Sequence, residues 1–460
     1  MKRHFFSLMW LFSSLTTNLF AQGSYKDSTF TEYFRRNSNG WTAGDATISV
    51  PLPDGRSVWL FGDSYVVPVN LTNNSLPCLF SVRNCMMVQE ASNNFVTLFD
   101  STRSGVARTF FKLGPADADT AWFWPGHGFT QSDTLYIFLY RWERSINNFA
   151  GIYIAKLTIS DLELRSITRL PAMNEITFGK AVLYDSTSGY LYVYGNKRNF
   201  VVFEPYVARC FPNNITGAWE YYTGSSWSMN PALAQKISSF AVSPSFSAIK
   251  IKNTFYLITQ ENGYLICGLG RKIFAYASNS PAGPFGDQKL LYTIEDTAKG
   301  SYMITYNAQA HPQFTSNNEL LISYNVNGIC PSECQRLSDR RNADGYRPKF
   351  IRVPHDMLSG GVAVSEVTVN PPRGFLLEPA YPNPFNLATT IHFIVEKTGP
   401  AKLVVFDVNG REVAVLYDGK ALQGEMQSVQ FDATKLASGT YFYRLTTPSL
   451  SATRSLTFIK

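Results

Sequence analysis

Between Trp41 and about Arg352 one pattern returns five times: a short strand-like run, a turn, then a second, very apolar run. "GDATISV" is followed by "VWLFGDSY", "WFWPGHGF" by "TLYIFLYRW", "FGKAVLYD" by "GYLYVYGN", "SFSAIKI" by "TFYLITQENG", and "MITYNAQAHP" by "ELLISYNVN". Gly, Pro, Asn and Asp punctuate the gaps, and third runs follow in "IYIAKLTI", "YVARCF" and "IFAYAS". Runs this short and this rich in aromatic and β-branched residues read as strands. Five like units of roughly 60 residues are the mark of repeated antiparallel sheets with loop insertions. A large sandwich or jelly roll would not demand such recurrence, whereas a ring of sheets does.

The expected fold is therefore all-β. A five-bladed β-propeller covers residues 25–369, closed by a strand near 29–34 or near 362–369. Residues 370–380 form a Pro-rich linker, too dense in proline for a central strand. Residues 381–460 read as a small immunoglobulin-like β-sandwich of about seven short strands. Within it, Asn409-Gly410 supplies a hairpin turn.

Hydrophobic residues make up 45% and charged residues 16%, which excludes a disordered chain. Residues 1–21 have the parts of a secretory signal: basic Lys2 and Arg3, an apolar stretch from Phe5 to Leu15, and small Ala21 at the cleavage point. The apolar stretch is too short for a membrane span, and no later segment is long enough. The chain is expected to be exported through the periplasm and secreted or surface-attached. Formal charge is +7 and scattered, without a basic run, so nucleic acid is not an expected partner. Export permits disulfides, and the close pairs Cys78/Cys85 and Cys330/Cys334 each suggest a stapled loop. Cys210 and Cys267 read as core. No zinc-type spacing of cysteine or histidine occurs. No cofactor is expected, although a propeller channel leaves room for a structural calcium or sodium ion.

Two carboxylates stand out. Asp45 opens the first strand of the first blade, where strict alternation would place Asp45, Thr47 and Ser49 on one channel-lining face. Asp63 ends the neighbouring strand after Val58, Trp59, Leu60, Phe61 and Gly62, where an aspartate serves equally as a turn cap. Antiparallel neighbours bring both acids into one blade. Glycosidic cleavage needs two carboxyl groups about the scissile bond, one kept protonated by burial. Asp45 and Asp63 are the candidate catalytic pair. Trp124, His127, Glu143, Glu261 and His311 are candidate substrate-binding residues. Glu143 and Glu261 end strands much as Asp63 does, Trp124 offers a stacking face, and His311 an imidazole in the channel.

The first blade, together with "RNCMMVQ", "WFWPGHGF", "YVARCFP", "SNSPAGPFGD" and "YNAQAHPQFTSNNELLISYNVN", resembles a bacterial family of secreted five-bladed propellers. That family is related in architecture to arabinanases and other furanosidases, and one branch contains endo-D-arabinanases acting on mycobacterial arabinan. The resemblance implies catalytic acids at Asp45 and Asp63. It departs at His127, where relatives often carry an acid. "YPNPFN", "VVFDVNGREVAVL", "LASGTYFYRL" and "RSLTFIK" resemble the C-terminal sorting domain of type IX secretion, which implies that machinery as a partner. The function expected is a glycoside hydrolase cleaving an extracellular, furanose-containing polysaccharide such as arabinan. The alternative is a non-catalytic glycan-binding or surface-adhesion propeller.

Overall fold

A computed structural model describes residues 23–90, 93–101, 105–114, 120–144, 148–199, 202–261, 270–298, 300–329, 334, 336, 338–359, 376–378, 380, 382–407, 411–448 and 451–460. The expected leader, most of the linker, Asn409-Gly410, Cys267, Cys330 and the 362–369 segment lie outside these. The chain divides into two compact units, 1–360 and 361–460.

In the first unit the five strand pairs become five antiparallel sheets of four or five strands. Their innermost strands are Ile48–Pro51, Ala121–Gln131, Thr177–Asp185, Ser247–Ile251 and Ser301–Ser316. The very apolar second runs are the second strands, and Ser57–Phe61 is buried throughout. Apolar residues fill the spaces between adjacent sheets: Ile48, Leu60 and Met86 pack with Phe123 and Ile137, and Phe138 and Ile154 pack with Phe178 and Val193. This is the five-bladed propeller.

The ring closes through Tyr25–Lys26, which pairs with Lys349–Pro354 at the outer edge of the last sheet. Residues 29–34 are not the closing strand. Ser28–Tyr33 forms a helix whose N-terminus is capped by the Asp27 carboxylate accepting from the Phe30 N–H. Its aromatic residues imitate a strand, but Phe30 and Phe34 pack as a plug against Trp59 and Phe350.

Cys78 bonds to Cys334, not to Cys85. Cys85 is a buried thiol in the third strand of the first blade, and burial pushes it up to about 12. Cys210 is likewise a buried core thiol.

The second unit is two packed antiparallel sheets, of three and four strands. Ile391, Phe393, Leu403, Val405, Tyr443 and Leu456 form its core.

Candidate active site

The inner strand of the first blade does not alternate as expected. Ala46 and Thr47 both adopt positive φ, at 73° and 50°. The strand therefore breaks between Ala43–Gly44 and Ile48–Pro51, and Asp45 sits at the break. Its partner breaks opposite: Asp63 lies between Ser57–Phe61 and Ser64–Tyr65. The Gly62 N–H donates to the Asp45 carbonyl at 3.0 Å, and the Asp45 N–H faces the Asp63 carbonyl at 3.4 Å. Two facing kinks thus turn two acids out of a continuous ladder.

Gly62 leaves room for the Asp45 carboxyl, which a side chain there would push aside. A Cβ at that position would lie 2.5 Å from Asp45 Oδ1. Gly44 has a similar reason, because a Cβ there would meet Ser64 Oγ at 2.3 Å.

The two carboxyls have different company. Asp63 accepts from Arg83 at 3.1 and 3.2 Å and from the Trp124 indole N–H at 3.2 Å. Asp45 accepts from the hydroxyls of Tyr306 at 3.0 Å and Tyr346 at 3.2 Å. Burial raises Asp45 to about 7, and the charge on Asp63 adds to that rise. Burial also raises Asp63, opposed by Arg83 and by the indole donor. Arg341, buried with its guanidinium 4.6 Å from the Tyr346 ring centre, lends positive potential to both acids. It comes from the Arg340–Asn342 strand, which pairs with Ser75–Pro77 to form a ribbon beside the Cys78–Cys334 bond.

Of the other expected residues, Trp124 joins the pair directly, with the Trp122 and Trp142 rings 5.9 and 5.3 Å away. His127 is placed deeper, in a bulge of the second inner strand. Its Nδ1 lies 2.8 Å from the Gly128 carbonyl, and burial lowers it to about 4. It borders a cavity of about 420 Å³ lined by Val50, Phe129, Val182 and Ile249, the later residues of the inner strands. Those residues lie toward the ends of the inner strands remote from Asp45.

His311 does not serve the site. It is fully buried, with one ring nitrogen 2.6 Å from Ser49 Oγ and the other 2.8 Å from Ser323 Oγ. Neither nitrogen is left for a ligand. Glu143 lies 3.5 Å from Arg141, and Glu261 accepts from the Arg271 N–H at 3.3 Å. Neither is seen joined to the pair. Among the described residues no cluster of three His, Cys, Asp or Glu is arranged to hold a metal ion.

Arg83, Tyr306, Tyr346 and Arg341 were not anticipated. Arg83 and Tyr306 stand inside "RNCMMVQ" and "YNAQAHP", but nothing in a linear pattern marks them as facing Asp63 and Asp45. Tyr346 and Arg341 come from a loop insertion more than 270 residues from either acid.

Residues 27–365 match a family described as "Domain of unknown function (DUF5005)". The chain belongs to that family. Residues 379–459 match the secretion system C-terminal sorting domain, so the protein is delivered by that secretion route to the cell surface or beyond. No curated protein matches the sequence. Among solved structures, a Bacteroides ovatus protein described as a candidate hydrolase is 24% identical, with 72% of this chain and 90% of that one covered at a TM-score of 0.60. That likeness shows the propeller fold. More distant is a family-43 glycoside hydrolase of Xanthomonas citri solved with xylotriose, at 12% identity, 71% and 94% coverage and a TM-score of 0.40. The Bacteroides ovatus xyloglucan PUL GH43B protein stands at 10% identity, 94% and 92% coverage and 0.39.

Proposed function

We propose that the protein is a secreted glycoside hydrolase acting on an extracellular polysaccharide, with Asp45 as the general acid and Asp63 as its ionised partner. The observation that carries this reading is the unequal treatment of two adjoining acids. Asp63 has a guanidinium and an indole N–H, both of which favour the carboxylate. Asp45 is hydrogen-bonded by neutral hydroxyls, is half-buried, and faces the negative Asp63; desolvation and that charge favour the protonated form against the hydroxyls and the more distant Arg341. Environments that split two carboxyls in this way assign an acid and a base.

In the reaction, the Asp45 proton goes to the glycosidic oxygen as the bond to the anomeric carbon breaks. The Asp63 carboxylate supports that carbon, by attacking it or by taking a proton from the attacking water. Trp122, Trp124 and Trp142 form an aromatic wall on which a sugar face can stack. The resemblance of the first blade to arabinan-cleaving propellers makes a furanose glycan the first substrate to try.

The test is reducing-sugar release by the purified full chain on arabinans, galactans and other plant and microbial glycans. Turnover lost in both Asp45→Asn and Asp63→Asn supports the reading. Tight glycan binding with no turnover on any glycan would replace it with a binding propeller.

A further inference from the structure

Tyr25–Lys26, the strand that closes the ring, lines a second cavity of about 420 Å³. The helix Ser28–Tyr33 borders it on one side, and the turn from Ser316 to Glu319 on another. That turn lies at the far end of the last blade from the two acids. Tyr306, which donates to Asp45, pairs with Asn325, and from residue 325 to residue 319 the strand runs about 20 Å. A cavity of this volume is of the size that takes a small ligand.

Two charged residues of its lining are nine-tenths buried and only partly used. Glu319 is 8% exposed; its Oε2 accepts from the Tyr25 hydroxyl at 2.8 Å, and Oε1 has no partner among the described residues. Arg352 is 9% exposed; its Nε donates to Asp27 and its Nη1 to the Phe314 carbonyl, both at 2.7 Å, and Nη2 has no partner among the described residues. Neither leftover atom is sealed from solvent. The cavity thus offers one strong acceptor and one strong donor. Phe30, with the Tyr33 and Phe314 rings 5.4 and 5.1 Å away, gives it an apolar side. Its charges balance, Lys26 and Arg352 against Asp27 and Glu319. A ligand with hydroxyls that both donate and accept, an apolar C–H face and no net charge matches all three features. A neutral sugar is such a ligand.

We propose that this ring-closure cavity is a second glycan site, which holds a neutral sugar unit apart from the acid pair. The inference goes beyond the hydrolase reading and stands without it. Glu319 Oε1 accepts from a sugar hydroxyl, Arg352 Nη2 donates to a sugar oxygen, and the aromatic side packs on the C–H face. A polymer held there stays at high local concentration around the acids.

Calorimetric titration of the full chain tests it, with arabinotriose, xylotriose, galactotriose and trigalacturonate as probes and Asp45→Asn in place so that none is cut. At least one neutral trisaccharide should bind, and trigalacturonate should bind no more tightly than galactotriose. Glu319→Gln, which keeps the Tyr25 bond, should weaken the neutral binding about tenfold. Thr29→Trp, a change at an exposed position on the cavity rim that removes no buried group, should block it. Trp124→Ala, at the acid pair, should leave it as it is. No binding of any neutral trisaccharide, binding that survives Thr29→Trp and Glu319→Gln, or tighter binding of trigalacturonate would overturn the site. Binding lost in Thr29→Trp without turnover on any glycan would remove the hydrolase reading alone. Turnover by the wild-type chain without such binding would remove the second site alone.

Discussion

Three residues separate Asp45 from Ser49, and the channel treats polar groups in opposite ways at those two depths. Around Ser49 most polar groups are matched, the Gln313 side-chain oxygen being an exception. Thr47 donates to Asn325 at 2.7 Å, Ser49 and Ser323 hold His311 from both sides, and Ser247 donates to Gln309 at 2.9 Å. Beside the acids, burial raises both carboxyls, Asp45 to about 7, and the nearby Trp122 indole N–H has no partner among the described residues. Satisfied buried networks rigidify a core, while unsatisfied ones cost stability. The deeper layer therefore builds the scaffold, and the mouth spends stability on chemistry.

The sharpest way to break that comparison is Asp45→Asn. Loss of a general acid is expected to lower kcat by about 10²–10⁴-fold. The folded state raises Asp45 from its ordinary 3.8 to about 7. Its contribution to stability is then fully present below about pH 4 and is lost as pH climbs to about 7. The asparagine variant should accordingly melt above wild type at pH 8, with the gap closing by pH 4. A variant that melts lower than wild type at pH 8 would place Asp45 in the scaffold layer instead.

Next in size is the Cys78–Cys334 bond, which joins positions 256 residues apart and anchors the ribbon carrying Arg341. Cys78→Ser with Cys334→Ser should lower unfolding free energy by about 2–4 kcal/mol. Because Arg341 and Tyr346 stand beside the acids, kcat should fall severalfold as well, measured on the same preparation. Unchanged turnover would detach the ribbon from the mouth.

Smaller again is Ser49→Ala in the satisfied layer. It leaves one ring nitrogen of His311 and the Gln313 amide N–H without the hydroxyl they now share. The expected cost is about 1–3 kcal/mol of stability, read by urea unfolding, with kcat unchanged. A comparable loss of kcat would mean that the two layers act as one.

Much of this was legible in the chain. Five strand pairs give five blades, since apolar runs such as "TLYIFLYRW" can be buried only between sheets. Asp45 and Asp63 read as neighbours because antiparallel strands and a short turn leave little choice. What surrounds them did not read, for physical reasons. Alternation along "GDATISV" fails because Ala46 and Thr47 take positive φ, a conformation their side chains do not advertise. Arg83, Tyr306 and Tyr346 approach the acids from separate segments, and only the closed ring brings them together. The helix at Ser28–Tyr33 had one local signal, the Asp27 cap, set against three aromatic residues that suggested a strand. Cysteine proximity in sequence misled because loop insertions from the first and last blades meet in space.

The smallest effect is expected where a carboxylate ends a strand without reaching the mouth. The Glu143 side chain is 39% exposed and meets Arg141 only at 3.5 Å, the limit of a useful contact. Glu261 caps the turn through the Arg271 N–H, a bond a glutamine oxygen can replace. Exposed pairs of this kind contribute about 0–1 kcal/mol. Glu143→Gln and Glu261→Gln should therefore move stability by no more than about 0.5 kcal/mol and leave kcat/KM within about twofold, by thermal melting and steady-state kinetics. A tenfold or greater loss of kcat in Glu261→Gln, with the melting temperature held, would instead put a third working carboxylate on the fourth blade. The unpaired chemistry of the mouth would then extend around the ring, and the division between its two depths would have to be redrawn.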